Sequence, residues 1–284
     1  MSPIARSESQ SLPQRSGQGQ IYWHIFKIGI QNTLSYRVNF LVRVLFNLVP
    51  LVAIISMWQA IYAGKSGNVA GYTLSAMVTY YLLVTIVDAV TAVTEDDWQI
   101  AAEIKDGHIS QFLTRPLDYL HYRLCLFVSG RAVYTVAAFI PVTLFILWHR
   151  NFLLPPPDAF AIAGFVLSLA MGALLQFLLS YLVAMLAFWV LEISTFVFVL
   201  MALERLASGQ LFPLDLLPLW LMECFMWTPF PYGMFFPVSV YMGKVTGVAL
   251  AQGLILQGVW IAAAYALARW VWQRGLKTYT VVGG

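Results

Sequence analysis

Charge is what this sequence has least of. Only 10% of its 284 residues are Asp, Glu, Lys or Arg, against about 25% in soluble domains. No water-soluble globular class fits that deficit. The net charge of +3 is too small for a nucleic-acid-binding surface. Cysteine is almost missing: Cys125 and Cys224 are the two in the chain, and no CxxC or other metal spacing occurs. The topology derived below puts them on opposite membrane faces, which excludes a disulfide between them. No Walker A pattern, HExxH or GxSxG is present. The four histidines, His24, His108, His121 and His149, fall in surface segments, and none is assigned a metal. The chain is therefore expected to be no enzyme and to hold no cofactor or metal of its own.

Apolar residues fill the space. They make up 60% of the chain, and mean hydropathy is +0.76. That composition reads as a polytopic, all-α membrane protein, since a spanning helix takes about 20 apolar residues. Six spans are expected, at about 38–62, 72–94, 124–148, 159–191, 193–212 and 245–272, within one transmembrane domain covering 21–276. Residues 1–20 are rich in Ser, Gln and Pro and read as a disordered tail without the apolar core of a signal peptide. Residues 277–284 form a C-terminal tail.

Between the second and third spans lies a polar island, 95–123. It holds Glu95, Asp96, Asp97, Glu103, Lys105, Asp106, Arg115, Asp118 and Arg123, nine of the chain's 16 basic and 13 acidic residues. Each of these charges would cost about 2.5–3.5 kcal/mol or more at the bilayer centre, so the island belongs in water. Helical spacing of Trp98, Ile100, Ala101, Ala102, Ile104 and Lys105 predicts a short helix with one apolar edge, and Gly107 is a natural stop. A second short segment, Ile109 to Thr114, must end before Pro116. Asp118 can cap the next helix. Two readings fit equally: a docking element for another protein, or a solvated loop resting on the bilayer.

Ile21 to Arg37 reads as an interfacial helix, with a polar stripe of His24, Lys27, Gln31 and Ser35. Pro50 and Pro141 fall mid-span and should kink their helices. The uncharged run from Ala159 to Leu191 exceeds the hydrocarbon core, so it tilts, projects or breaks. From Phe212 to Pro237 the chain stays apolar yet carries Pro213, Pro218, Pro229, Pro231 and Pro237. No continuous helix tolerates that density. A pair of short helices dipping in and returning, a re-entrant or extracellular hairpin at 213–240, is the expected form. Interrupted helices often line a translocation path. The alternative is a cap that packs the bundle without touching cargo.

Lys and Arg placement sets the orientation. With both termini inside, twelve basic residues face the cytoplasm, and four, Lys65, Arg150, Arg205 and Lys244, face outward; the island is then cytoplasmic. Asp88, Glu204 and Arg205 are the candidate translocation-path residues; for Asp88 the alternative, and the favoured reading, is a carboxylate paired with a nearby Arg at the interface. Asp88, Glu192 and Glu204 are too few and too peripheral to read as a proton relay.

Three stretches carry a resemblance: EIKDGHISQFLTRPLDYL (Glu103–Leu120), SGQLFPLDLLPLW (Ser208–Trp220) and TPFPYGMFFPVSVYMG (Thr228–Gly243). Their order and spacing resemble the type-2 ABC transporter permeases, in the bacterial ABC-2 branch of unassigned substrate. The resemblance implies a six-helix permease subunit of an ATP-binding cassette exporter in the bacterial inner (plasma) membrane. It implies partner ATPase subunits that bind ATP, and a second permease, identical or paralogous, within membrane lipid. It places ATPase coupling on Glu103, Lys105, Asp106, Gly107, Leu113, Arg115 and Pro116. The alternatives are an ion-coupled secondary transporter and a non-transporting membrane scaffold.

Overall fold

The computed structural model describes residues 18–35, 37–63, 71–93, 96–114, 117–148 and 150–279. The described chain is all-helical: α1 (Gln18–Ser35), α2 (Arg37–Ala63), α3 (Leu74–Thr91), α4 (Asp96–Lys105), α5 (Ser110–Leu113), α6 (Tyr119–Trp148), α7 (Ala159–Ala184), α8 (Ser194–Ala207), α9 (Leu219–Met226), α10 (Phe235–Tyr241) and α11 (Gly247–Thr278).

Among the described residues, four helical stretches are long and apolar enough to cross a membrane: Leu74–Thr91, Tyr119–Trp148, Ala159–Phe188 and Gly247–Thr278. Two further elements expected as spans are α2 and α8. In α2, 27 residues long, the described apolar stretch is Leu48–Ala63. α8 has 14 residues, about 21 Å at 1.5 Å per residue, against a hydrocarbon core of about 30 Å. α6 begins at Tyr119, inside the polar island, because Asp118 accepts from the His121 backbone N–H at 3.1 Å and caps it. α2 and α6 each run unbroken through their prolines, Pro50 and Pro141. The long run after Ala159 breaks: α7 ends at Ala184 and tightens into a 3-10 turn, Met185–Phe188.

α3 is the central helix. Its residues Met77–Leu83 are all buried, packed against α2, α6, α7 and α10. By contrast α6, α7 and α11 turn large apolar side chains outward, among them Val136, Phe139, Phe160, Val248 and Ile255. Outward apolar faces of that extent are stable in lipid and not in water. α1 lies along α6, with Gly29 so close to Ser129 that a Cβ there would sit 2.0 Å from its Oγ.

The proline-rich segment breaks into the two short helices α9 and α10, separated by a 3-10 turn at Phe230–Gly233. Its ends meet: Lys244 Nζ lies 2.5 Å from the Asp215 carboxylate, and the Tyr72 hydroxyl donates to the same carboxylate at 2.8 Å. Its middle is pinned. Gln257, wholly buried on α11, donates to the Tyr232 carbonyl at 2.9 Å and to the Ser168 carbonyl at 2.8 Å. Gly172 of α7 lets the turn approach, for a Cβ there would meet the carbonyls of Tyr232 and Gly233 at 3.4 and 3.3 Å. Gly209 adopts φ +85°, and its carbonyl accepts from the Tyr80 hydroxyl at 2.5 Å.

Candidate functional site: a charged cavity above the polar island

The polar island folds as two short helices on a turn. α4 buries Ile100, Ala101 and Ile104 against α7 and the 3-10 turn that follows it. Gly107 sits at φ +78°, a left-handed conformation that glycine adopts without the Cβ clash. Lys105 and Asp106 are exposed beside it. Glu103 is different. Its carboxylate lies 2.8 Å from Arg123 Nη2 and accepts from the Tyr119 hydroxyl at 2.6 Å. Arg123 is among the most deeply buried side chains and also reaches Gln99 on α4. Tyr119 stacks on Trp272 of α11, ring centroids 4.9 Å apart. Asp118 pairs with Arg269 of α11 and with His121. Burial opposes ionisation of Asp118, but the hydrogen bonds from Arg269 and His121 outweigh it and hold the carboxyl below its usual range. The island is thus fastened to α6 and α11 through one network. The side chain of Leu113, and Arg115 and Pro116 entirely, lie outside the described residues.

Beyond α4 opens a cavity of about 520 Å³, between α2, α3, α6, α7 and α8, a size ordinary for small-molecule sites. Asp88, Glu204 and Arg205 all line it, and so do Asp97 and Trp98 of α4. The Gln210 side-chain amide donates to Asp88 at 3.2 Å. Arg131 and Arg205 lie within electrostatic range of Asp88, and Arg205 of Glu204.

This corrects one expectation. Asp88 and Glu204 are not peripheral but share one cavity, because the short α8 returns its C-terminal end against the middle of α3, where Tyr80 holds Gly209. Glu192 is separate and exposed. For the same reason Arg205, counted with the outer loops, lines a wall in common with Asp97 and Trp98 of the island. Gln176, Gln210 and Ser180 also line the cavity. Sequence reading missed them, since uncharged polar residues in an apolar run carry no positional signal until the helices are packed.

Residues 48–283 match the family described as ABC-2 family transporter protein. The chain belongs to it. No curated protein matches the chain. This ABC-2 transporter protein is a membrane protein, and both the cavity and all of the island described above fall inside the matched range.

Proposed function

We propose that this ABC-2 family protein is the cargo-handling permease subunit of an ATP-driven exporter in the bacterial plasma membrane. Separate ATPase subunits dock on the cytoplasmic segment 95–123 and supply ATP hydrolysis; the chain itself catalyses nothing. A second permease, identical or paralogous, completes the path. The single observation behind this reading is that one helix, α4, both ends in the exposed Lys105, with exposed Asp106 next in the turn, and contributes Asp97 and Trp98 to the cavity. A push on α4 from the partner reaches the cavity wall directly. Closure of the ATPase pair shifts the balance between two accessible states of the cavity.

Six crossings are the topology we assign, α2, α3, α6, α7, α8 and α11, with both termini inside. The segment 213–240 is re-entrant in this reading. Support comes from its ends, joined at Asp215 and Lys244, and from its middle, bonded to Gln257. Gln257 lies ten residues into α11, about 15 Å along the axis and near half the bilayer depth.

The experiment is co-expression with a Walker A ATPase encoded beside the gene, followed by affinity capture. Replacing Lys105, Asp106 and Arg115 by Ala should leave the permease monodisperse and cut ATPase capture at least about tenfold, as loss of interfacial charge contacts does. Unchanged capture and ATP turnover would remove the island from the coupling role. Two carboxylates in one cavity also support ion-coupled transport; uptake that follows an ion gradient without ATP would favour that reading instead.

A further inference from the structure

We propose that the cavity takes a zwitterionic amphiphile, a molecule joining an ammonium group, an oxyanion and an apolar tail. This rests on the permease reading above and names its cargo class.

The cavity carries both signs of charge within reach of one small molecule. Asp88 and Glu204 present carboxylates, and Arg205 presents a guanidinium. Asp97 lies at the α4 end of the same wall. A cargo bearing only positive charge would meet Arg205, and one bearing only negative charge would meet Asp88 and Glu204. Each mismatch of like charges lowers affinity. A cargo with both charges is complementary: its ammonium sits between Asp88 and Glu204, and its oxyanion sits on Arg205, whose planar fork suits carboxylate or phosphate equally.

Two further observations point to a ligand. Ser180 is 5% exposed, lines the cavity, and its hydroxyl has no hydrogen-bond partner among the described residues. A buried hydroxyl left open costs stability unless something in the cavity meets it. Most of the remaining wall is apolar, from Leu51 and Ile54 of α2 to Val197, Leu200 and Met201 of α8, with Thr85, Thr91 and Ser208 between. That surface matches a hydrocarbon tail and leaves an amino acid or a sugar badly paired. Gln210 already holds Asp88 in place, so that charge is positioned before the cargo arrives.

The test reads occupancy by thiol protection, on the permease–ATPase complex in lipid nanodiscs. Cys125→Ser and Cys224→Ser remove the native thiols, and Ser180→Cys places one in the cavity. Thr85→Cys, on another wall, repeats the measurement. The rate of reaction with N-ethylmaleimide is followed while amphiphiles of one dodecyl tail are added below their micelle-forming concentrations: dodecylphosphocholine, dodecyltrimethylammonium, dodecyl sulfate and dodecyl maltoside. Dodecylphosphocholine, and a carboxylate zwitterion of the same tail, should protect saturably, the other three only at about tenfold higher concentration or more. Glu204→Gln and Arg205→Gln should each raise the half-protecting concentration of dodecylphosphocholine about tenfold, the worth of one charged hydrogen bond. Arg205→Gln alone should bring dodecyltrimethylammonium level with it.

Equal protection by the cationic, anionic or neutral amphiphile overturns the proposal. So does saturable protection that ignores both Glu204→Gln and Arg205→Gln, or the absence of any thiol reaction at both positions. The ATPase captured in the same preparations reads the permease role separately. Its presence with no zwitterion protection sinks only the cargo class; its absence sinks the coupling reading and leaves the protection measurement standing.

Discussion

The guanidinium of Arg123 sits 2.8 Å from the Glu103 carboxylate, with 2% of the arginine side chain exposed. An arginine at that depth needs its partner, since a buried, uncompensated charge is far more costly than a buried pair. Glu103 therefore works inside the island, tying α4 to α6, while Lys105 and Asp106 face outward.

The first prediction separates those roles. Glu103→Ala should cost about 3 kcal/mol of stability by stranding Arg123, read as a fall in unfolding temperature in detergent. Lys105→Ala and Asp106→Ala should leave that temperature unchanged, as exposed substitutions usually do. A stable Glu103→Ala protein would dismiss the tie.

Asp118 gives a pH dependence. Its carboxyl is held below the ordinary value of 3.8 in the folded protein. A lowered carboxyl contributes stability in full above the unfolded value, and the contribution is lost as pH falls through the folded one. Asp118→Asn should therefore unfold at lower temperature than the unmodified protein at pH 7. The gap should narrow below about pH 4, where the unfolded carboxyl titrates. A gap constant from pH 7 to pH 3 would contradict this sign.

Gln257 is the pin of the proline-rich segment. Gln257→Leu leaves the Tyr232 carbonyl without its side-chain donor and the buried Ser168 hydroxyl without its acceptor, at about 1–3 kcal/mol for each buried group left unsatisfied. The segment around Tyr232 should then become the first site of proteolysis in native membranes. Unaltered cleavage kinetics would show that α10 holds the turn without help.

Gly209 tests the approach of α8 to α3. A Cβ there would meet the Tyr80 hydroxyl at 2.8 Å and Phe235 Cβ at 3.0 Å, at φ +85°. Gly209→Ala should destabilise by about 1–3 kcal/mol from backbone strain alone, and Gly209→Asn by no less, because its larger side chain meets the same neighbours although Asn tolerates that backbone region better. Thermal unfolding of the two variants side by side is the measurement.

What the sequence disclosed follows from which forces act locally. Apolar length and charge exclusion are local, so the long helices and the island were readable from the residues. Gly107 as a stop and Asp118 as a cap are local too, each set by one backbone conformation or one side chain. The cavity is not. It depends on where α8 ends relative to α3, and that is fixed by contacts across more than a hundred residues, such as Tyr80 with Gly209 and Tyr81 with Leu211. Ser180 and Gln176 looked like ordinary breaks in an apolar run, and acquire meaning only with a cavity beside them.

The backbone N–H of Phe235 donates to the carbonyl of Ser208 at 3.0 Å, so α8 and α10 are stitched together where one ends and the other begins. The stretch between them is a loop closed at its neck. Its span can be lengthened or re-sequenced at the far end while the two helices keep their mutual register. Evolution thus has a place to alter this loop without reopening the fit of the bundle it is closed upon.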